Sequence, residues 1–168
     1  MQKISLEAKA LLKAREQRFY IKQHFLAQSY ARTCIEMGMN IPGLPKLGDH
    51  WQRVFDVGLE RVQQKFELIK LEKINDMAGY YALIAIDQEA RKAKFDCCEI
   101  EASAPWSRLL DIDCIGQDGR ISRQSLGMRE RSCFVCKRFQ DDCIASKRHL
   151  ITTSRSAAER LAKTINEI

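Results

Sequence analysis

The sequence is poor in the residues that interrupt regular structure. Only 3 of its 168 residues are proline and 8 are glycine, whereas 45% are hydrophobic and 30% are charged. These proportions are typical of a globular chain and argue against a disordered or low-complexity protein. A chain of this length buries roughly 70% of the surface that it exposes when unfolded. We therefore expect a single domain, spanning residues 1–168, whose core needs no disulfide bonds.

Long apolar runs are also missing. No stretch approaches the ~20 consecutive apolar residues that cross a bilayer. Residues 1–18 carry a charge every few positions, where a signal peptide would have an apolar centre. The sequence thus predicts a cytoplasmic protein with no membrane partner, in which the 7 cysteines need not form disulfide bonds.

Positive charge is concentrated in the last third of the chain. Residues 1–119 contain 17 Lys and Arg and 17 Asp and Glu, whereas residues 120–168 contain 11 and 5, so the net charge of +6 arises there. Such a segment suits either a solvated surface or an anionic partner. Because basic residues are not interleaved with aromatic ones, as in RNA-binding sheets, nucleic acid is not the favoured partner.

The spacing of apolar residues predicts an α+β fold. After an N-terminal helix, the order strand, helix, strand, strand, helix, strand is that of the ferredoxin-like split βαβ sheet, which carries two helices on one face. We divide the chain into the N-terminal helix (1–29), an α+β catalytic core (30–119) and a basic Cys/His-containing appendage (120–168). The predicted helices cover residues 5–28, 51–66, 88–103 and 157–168, and the predicted strands 30–40, 66–74, 80–86 and 108–115.

Two aspartates interrupt the last predicted strand. Side chains alternate along a strand, so Asp111 and Asp113 share one face about 6.5 to 7 Å apart, while Leu110 and Ile112 point into the core. Carboxylates placed in this way repel each other unless a cation lies between them. Mg²⁺ takes such oxygen ligands and shares them with substrate phosphates, which predicts a phosphate-handling site. Two solvated residues on an exposed sheet face are the alternative.

A second pattern, Cys-x2-Cys-x6-Cys-x5-His, is formed by Cys133, Cys136, Cys143 and His149. Three thiolates and one imidazole complete the tetrahedral set of a structural Zn²⁺ site. The same cysteines could instead be buried small hydrophobic residues or a redox pair.

A third pattern is the loop that runs from Asn40 to Lys46 and lies between a predicted strand and helix. Gly43 lets the backbone amides approach a ligand, and Lys46 can reach a phosphate near the start of the helix. The spacing is not that of a phosphate-binding loop, so a simple turn is the alternative.

Four segments, which include these three patterns, together resemble one protein family. They are LLKAREQR (11–18), NIPGLPK (40–46), SRLLDIDC (107–114) and ERSCFVCKRFQDDCIASKRH (130–149). Their order and separation over about residues 10–155 resemble those of the holo-citrate lyase synthase family, the apo-citrate lyase phosphoribosyl-dephospho-CoA transferases. The sequence departs from the family at Ala104, where a histidine is usual.

The resemblance implies a nucleotidyltransferase of citrate lyase maturation. It would transfer the 2′-(5″-phosphoribosyl)-3′-dephospho-CoA group from its triphosphate precursor, triphosphoribosyl-dephospho-CoA, to a serine of the citrate lyase acyl carrier subunit, and release pyrophosphate. Asp111, Asp113 and Arg108 would be catalytic, with Mg²⁺ on the two aspartates. The precursor would be bound by residues of the first helix and of the loop, namely Arg15, Arg18, Asn40, Gly43 and Lys46.

Two other functions remain open from the sequence. One is a zinc-bearing module that binds nucleic acid through the basic appendage. The other is a degenerate family member that binds the acyl carrier without catalysis, a reading suggested by the loss of the histidine. No general base is identified, and Glu101 is only one candidate.

Overall fold

The computed structural model describes residues 5–167. The helices are α1 (Leu6–Gln28), α2 (Asp49–Lys65), α3 (Ala90–Ala102), α4 (Gln140–Ala145) and α5 (Ile151–Lys163). The strands are β1 (Thr33–Met39), β2 (Leu68–Asp76), β3 (Gly79–Ile86), β4 (Leu110–Gly116) and β5 (Gly119–Ile121). Short 3₁₀ turns cover Trp106–Leu109, Gln124–Leu126 and Thr164–Glu167. The predicted α+β class is confirmed.

The C-terminal third differs most from the predicted boundaries. Helix α5 begins at Ile151, six positions before the predicted start at Ala157, and the predicted end at Ile168 lies outside the described residues. Its first turn contains Thr152, Thr153 and Ser154, which have low helix propensity and no apolar period. Strand β5 and helix α4 were not predicted, because they have three and six residues and are too short to show a period.

The five strands form one antiparallel sheet in the order β2-β3-β1-β4-β5. Strand β1 lies at its centre, paired with β3 on one side and β4 on the other. The β1–β4 register places Glu36 opposite Asp113 and Gly38 opposite Asp111. The two aspartates therefore lie beside the middle of the sheet, with only the short strand β5 beyond them.

Helices cover the sheet from both sides. On one face, α2, α3 and α5 pack with the sheet into the main core, whose largest buried side chains include Trp51, Phe55 and Trp106. On the other face, Phe25 of α1 packs against Tyr81 and neighbouring residues of β1 and β3. All eight residues of β3 are consequently buried. None of the helices in the described part of the chain is long and apolar enough to cross a membrane.

Candidate active site

Strand β4 presents its two aspartates on the face that α1 covers only in part. The alternation predicted from the sequence is present, because Leu110, Ile112 and Cys114 are fully buried on the opposite face. The Asp111 side chain is 59% exposed and that of Asp113 is 24% exposed. With Glu36 across the β1–β4 pair, three carboxylates lie on this part of the sheet.

Cationic side chains surround these carboxylates. Arg131 lies 3.0 Å from Asp111, measured from Nη1 to Oδ1. Asp113 has two partners, with Lys94 Nζ at 3.1 Å from Oδ1 and Arg120 Nη1 at 2.9 Å from Oδ2. Arg120, which lies on β5, also binds Glu36 of β1 through Nη2 at 3.1 Å. It therefore links the carboxylates of β1 and β4. The aspartates are therefore part of a charged network and are not isolated surface residues.

The same side chains satisfy the free edge of β4. Beyond the reach of β5, the Ile112 N–H donates to Glu101 Oε1 at 2.9 Å, and the Ile112 carbonyl accepts from Lys94 at 2.6 Å. Arg131 donates to the Leu110 carbonyl at 2.7 Å. These bonds replace those of a missing neighbouring strand, which an exposed edge would otherwise leave unmade. They also fix the direction in which Asp111 and Asp113 project.

Glu101 is a buried counter-ion in this network. Its side chain is 3% exposed, and besides the Ile112 N–H it binds Arg123 through Oε2 and Arg131 through Oε1. Both carboxylate oxygens are thus occupied by charged partners. This geometry does not suit the role of general base, for which Glu101 was one candidate.

We expect Glu101→Gln to lower the free energy of unfolding by about 2 to 3 kcal/mol, since it leaves two partly buried guanidinium groups without their counter-charge. The matched control is Glu99→Gln on the same helix, whose 55% exposed side chain has only a surface ion pair with Lys65. Urea unfolding of both variants measures the difference. Equal stability of the two variants would contradict the structural role of Glu101.

The environment of Asp111 disfavours its ionised form. Although the side chain keeps contact with solvent, partial desolvation raises the pKa of this carboxyl. Arg131 opposes the shift, and the nearby charges of Asp113 and Glu101 add to it. Lys94 shows a related balance: burial tends to lower its pKa, but Asp113 and Glu101 raise it overall. A cation beside Asp111 would relieve the repulsion between the carboxylates.

Two connected spaces meet at the aspartates. The larger, which we call the Asp cleft, has a volume of about 800 Å³ and is lined by Asp111, Asp113 and the surrounding network. The smaller, which we call the basic pocket, has about 220 Å³ and lies between α1 and the sheet. Asp111, Asp113 and Arg120 line both spaces. Three residues selected from the sequence, Arg15, Arg18 and Lys46, line the basic pocket.

The basic pocket contains cations with few partners. Arg15 has no hydrogen-bond or ion-pair partner among residues 5–167, and Lys46 donates only to the Ile41 carbonyl within the same range. Burial lowers the pKa of Lys46, and the charges of Arg15, Arg155 and Arg18 lower it further. Arg18 is held by Asp76 at 2.6 Å. An anion in this pocket would compensate the charges of Arg15 and Lys46.

Three other residues selected from the sequence lie elsewhere. Arg108 donates to the carbonyl and hydroxyl of Ser132 and stacks over Phe134, and it lines neither the Asp cleft nor the basic pocket. Asn40 and Gly43 line a separate apolar groove. The structure therefore does not bring Arg108 to the aspartates, and Arg131 lies beside Asp111 instead.

The sequence analysis did not identify Lys94, Arg120, Arg123 or Arg131 as members of the site, and it named Glu101 only as a candidate base. A signal existed for two of these residues, because Lys94 and Glu101 are charged residues on the face of α3 that otherwise buries Ala93, Cys97 and Ile100. Charged residues are almost never fully buried unless paired, so this pattern pointed to a polar network. Arg120, Arg123 and Arg131 carried no such signal. Arg120 lies on β5, which is too short to show a period, and the contacts of Arg123 and Arg131 depend on how the segment after β5 returns to β4.

The four residues of the Cys/His pattern converge on one point. The potential ligand atoms of Cys133, Cys136, Cys143 and His149 all lie within 4.8 Å of one another. Cys136 Sγ is 3.4 Å from Cys143 Sγ and 3.3 Å from His149 Nε2. A tetrahedral zinc ion with Zn–S bonds of about 2.3 Å separates its sulfur ligands by about 3.8 Å. The cluster is therefore able to hold a metal ion such as zinc.

Local backbone structure creates this convergence. An isolated bridge between Ser132 and Phe139 closes a turn in which Lys137 adopts φ 64°, and this brings Cys133 and Cys136 together. Helix α4 supplies Cys143. The backbone N–H of Arg138 lowers the pKa of the Cys136 thiol to about 6, and Cys143 and His149 contribute. A thiolate is the form that binds metals.

Paired carboxylates on β4, beside a cation-lined cleft, are the arrangement expected of a group-transfer enzyme that acts on a phosphate-bearing substrate. The sequence model of one family matches residues 6–165, and that family is described as apo-citrate lyase phosphoribosyl-dephospho-CoA transferase. The chain belongs to this family of apo-citrate lyase phosphoribosyl-dephospho-CoA transferases. The expected family membership, the enzyme class and the prosthetic-group transferase function are thereby confirmed.

Individual relatives agree with the family match. The chain is 24% identical over 164 residues to a probable apo-citrate lyase phosphoribosyl-dephospho-CoA transferase of Streptococcus pyogenes serotype M18, covering 94% of this chain and 85% of the relative. A protein of the same description from Vibrio cholerae serotype O1 is 27% identical over 157 residues, with 89% and 85% covered. Protein CitXG of Haemophilus influenzae is 29% identical over 167 residues, which are 96% of this chain and 35% of that protein.

Proposed function

We propose that this enzyme transfers the 2′-(5″-phosphoribosyl)-3′-dephospho-CoA group from its triphosphate precursor to a serine of the citrate lyase acyl carrier subunit, with release of pyrophosphate. The observation that carries this reaction is the junction of the Asp cleft and the basic pocket. There Asp111 and Asp113 face Arg15 and Lys46 across one continuous space. Paired carboxylates and unpaired cations are together the groups that a metal-bound triphosphate requires.

The arrangement of the core supports the ferredoxin-like class. The first four strands lie in the order β2-β3-β1-β4, every pair is antiparallel, and α2 and α3 pack on the same face. This order is the one expected of a split βαβ sheet. Strand β5 extends it at the β4 edge, and α1 covers the opposite face.

Asp111 and Asp113 fit the role of Mg²⁺ ligands. Both offer hard carboxylate oxygens on one strand face, and Asp111 Oδ2 has no hydrogen-bond partner in the described part of the chain. When bound, Mg²⁺ supplies charge neutralisation at the phosphates and on the departing pyrophosphate. Lys94 and Arg131 hold the carboxylates in their orientation.

The remaining residues of the site bind and orient the precursor. Arg15 and Lys46 hold phosphate oxygens in the basic pocket, so that the carrier serine attacks the α-phosphorus in line with the leaving pyrophosphate. In transfers of this kind, positioning and charge stabilisation supply most of the rate enhancement. Arg108 has a positioning role, because it holds the backbone of Ser132 next to the Cys/His cluster and does not contact the aspartates.

One assay tests this reaction directly. The protein is incubated with the apo form of the carrier subunit, triphosphoribosyl-dephospho-CoA and Mg²⁺, and the carrier is then weighed by mass spectrometry. A mass gain equal to one phosphoribosyl-dephospho-CoA group is expected. No mass gain, under conditions in which another family member modifies the carrier, would overturn the proposed reaction and favour a carrier-binding protein without activity.

The Cys/His cluster is proposed to hold one structural Zn²⁺. Its three sulfur atoms and one imidazole nitrogen form a complete tetrahedral set, which leaves no position for a catalytic water. None of the cysteines in the described residues forms a disulfide bond, so the thiols of the cluster are available as ligands. The bound metal would fix the segment that carries Ser132 and Arg131 against β4.

The basic appendage is proposed to contact the carrier. Arg138 and Arg148 are exposed and line neither the Asp cleft nor the basic pocket. We expect the double reversal Arg138→Glu and Arg148→Glu to raise KM for the carrier several-fold while leaving KM for the precursor unchanged, because acyl carriers are generally acidic.

Steady-state kinetics at low salt, with each substrate varied in turn, measures this effect. The matched control is Lys9→Glu with Lys13→Glu, an equal change of charge on the exposed surface of α1. Equal carrier KM values for the two double variants would place the carrier elsewhere on the surface.

A further inference from the structure

A groove of about 810 Å³ lies next to the Cys/His cluster, apart from the Asp cleft. One wall is the loop after β1, with Asn40, Pro42 and Gly43, and the other is formed by the segment from Cys133 to Ser154. Three apolar residues at its rim, Ile144, Leu150 and Ile151, have exposed fractions of 63%, 74% and 68%. We call it the apolar groove. Its volume is that of a site for a small molecule.

The two walls approach each other because of Gly43. This residue has φ 69°, and a Cβ atom placed on it would lie 2.8 Å from Cγ2 of Ile151. A larger residue would therefore strain the backbone and displace either the Ile151 side chain or the loop. The glycine that the sequence singled out as a ligand contact thus sets the width of the apolar groove.

We propose that the apolar groove binds the pantetheine arm of the dephospho-CoA moiety. This inference rests on the proposed function, and it assigns a place to the part of the substrate that undergoes no reaction. Dephospho-CoA joins an adenosine diphosphate, which is strongly charged, to an arm of methyl groups, methylenes and two amides, which is neutral. The protein has the same division between a charged space and an apolar one.

The charges of the two spaces support this assignment. The Asp cleft and the basic pocket contain the charged network described above, which suits phosphates and a metal ion. Lys147 is the one Lys or Arg among the residues that line the apolar groove, and no Asp or Glu lines it. Branched aliphatic side chains such as Val135, Ile144 and Leu150 match the geminal methyl groups of the arm in chemistry and size.

Gln140 lies between the two spaces. It is the first residue of α4, and its side chain lines both the Asp cleft and the apolar groove. Its Oε1 atom is buried and has no hydrogen-bond partner among the described residues. An unpaired buried acceptor is costly, and the arm carries two amide N–H donors. A rotation of the Gln140 amide, which no bond to Oε1 opposes, offers this oxygen to the arm as it passes from the Asp cleft into the groove.

The test compares two probes on the full-length protein by isothermal titration calorimetry. Dephospho-CoA contains the arm, whereas ADP has the same adenosine diphosphate without it. The variant is Ile144→Ser with Leu150→Ser, two exposed positions at which the change costs little stability. We expect dephospho-CoA to bind this variant about 10-fold or more weakly than the original protein, and ADP to bind both equally.

A matched control is Ile69→Ser on the edge strand β2, where the side chain is 58% exposed and distant from the groove residues. It is expected to change neither affinity. If the groove variant loses affinity for ADP and for dephospho-CoA to the same extent, the groove binds the adenine part. If it loses affinity for neither probe, the carrier protein becomes the candidate occupant. Each of these results overturns the proposal, as does failure of the original protein to bind dephospho-CoA at millimolar concentration.

A second variant separates ligand binding from structure. Gln140→Met keeps the bulk of the side chain but removes the unpaired oxygen, so thermal stability is expected to hold or rise. Affinity for dephospho-CoA is expected to fall several-fold, with ADP unaffected. Unchanged dephospho-CoA affinity would exclude the hydrogen bond. The transfer assay is a separate readout. If the groove variant loses affinity for dephospho-CoA but even the original protein gives no mass gain on the carrier, the reaction is refuted and the groove assignment stands.

Discussion

Asp111→Asn is expected to lower the rate of prosthetic-group transfer about 100-fold or more, and Asp113→Asn is expected to do the same. Each substitution removes one anionic oxygen ligand from the proposed Mg²⁺ site while keeping the size of the side chain. Stabilisation of phosphate charge by a metal is worth several kcal/mol, and each 1.4 kcal/mol corresponds to about 10-fold in rate.

The two variants should differ in stability, because different cationic side chains contact Asp111 and Asp113. Asp111 is 59% exposed, and Arg131 is its one side-chain partner among residues 5–167, so its loss should change the free energy of unfolding by less than about 0.5 kcal/mol. Asp113 faces Lys94, whose side chain is 5% exposed, so Asp113→Asn leaves a buried ammonium with less compensation. A decrease of about 1 to 3 kcal/mol is expected for that variant.

The transfer rate and the thermal midpoint of each variant, measured with and without Mg²⁺, test whether the two aspartates form the metal site. Asp118→Asn is the control, because this aspartate lies exposed in the turn between β4 and β5 and lines neither the Asp cleft nor the basic pocket. If Asp111→Asn retains a transfer rate close to that of Asp118→Asn, the assignment of the metal site is wrong, even though the family membership stands.

The second large effect is expected at the Cys/His cluster. The protein purified in reducing buffer should contain about one zinc ion per chain, and Cys143→Ser should contain almost none. Because the cluster holds together a segment with few other apolar contacts, loss of the metal should lower the thermal midpoint by several degrees. Transfer activity should fall with it, since Arg131 and the groove wall belong to the same segment.

The control for this experiment is Cys34→Ser. Cys34 is as buried as Cys143 but lies in β1, far along the chain from the cluster, so this variant should retain its zinc whatever its stability. Elemental analysis of both variants, together with circular dichroism during heating, gives the result. A metal-free original protein, or a disulfide between Cys133 and Cys136 under reducing conditions, would refute the zinc site.

The parts of the fold that could be predicted are those with a clear period. The alternation around Asp111 and Asp113 and the helical spacing from Trp51 to Val62 both appear in the structure as the sequence predicts. The convergence of the Cys/His cluster could also be predicted, because its four residues are close in the sequence and a Cys-x2-Cys turn needs few distant contacts.

Other features could not be predicted because they depend on how distant segments meet. Arg108 is three residues from Asp111, yet the 3₁₀ turn before β4 directs it to Ser132. Arg131, twenty residues further along the chain than Asp111, takes the position beside that aspartate. The close approach of Gly43 to Ile151 spans more than a hundred residues. Neither periodicity nor motif spacing contains information on such contacts.

The way side chains cover the outer side of β4 has a consequence for the protein in solution. The outer side of this strand, next to Ile112, is occupied by Lys94, Glu101 and Arg131. A strand from another molecule would find no free backbone groups there and would have to displace three charged side chains to pair. The residues that orient the aspartates therefore also protect this side of β4 from pairing with another molecule, so variants of this trio should be examined for aggregation as well as for activity.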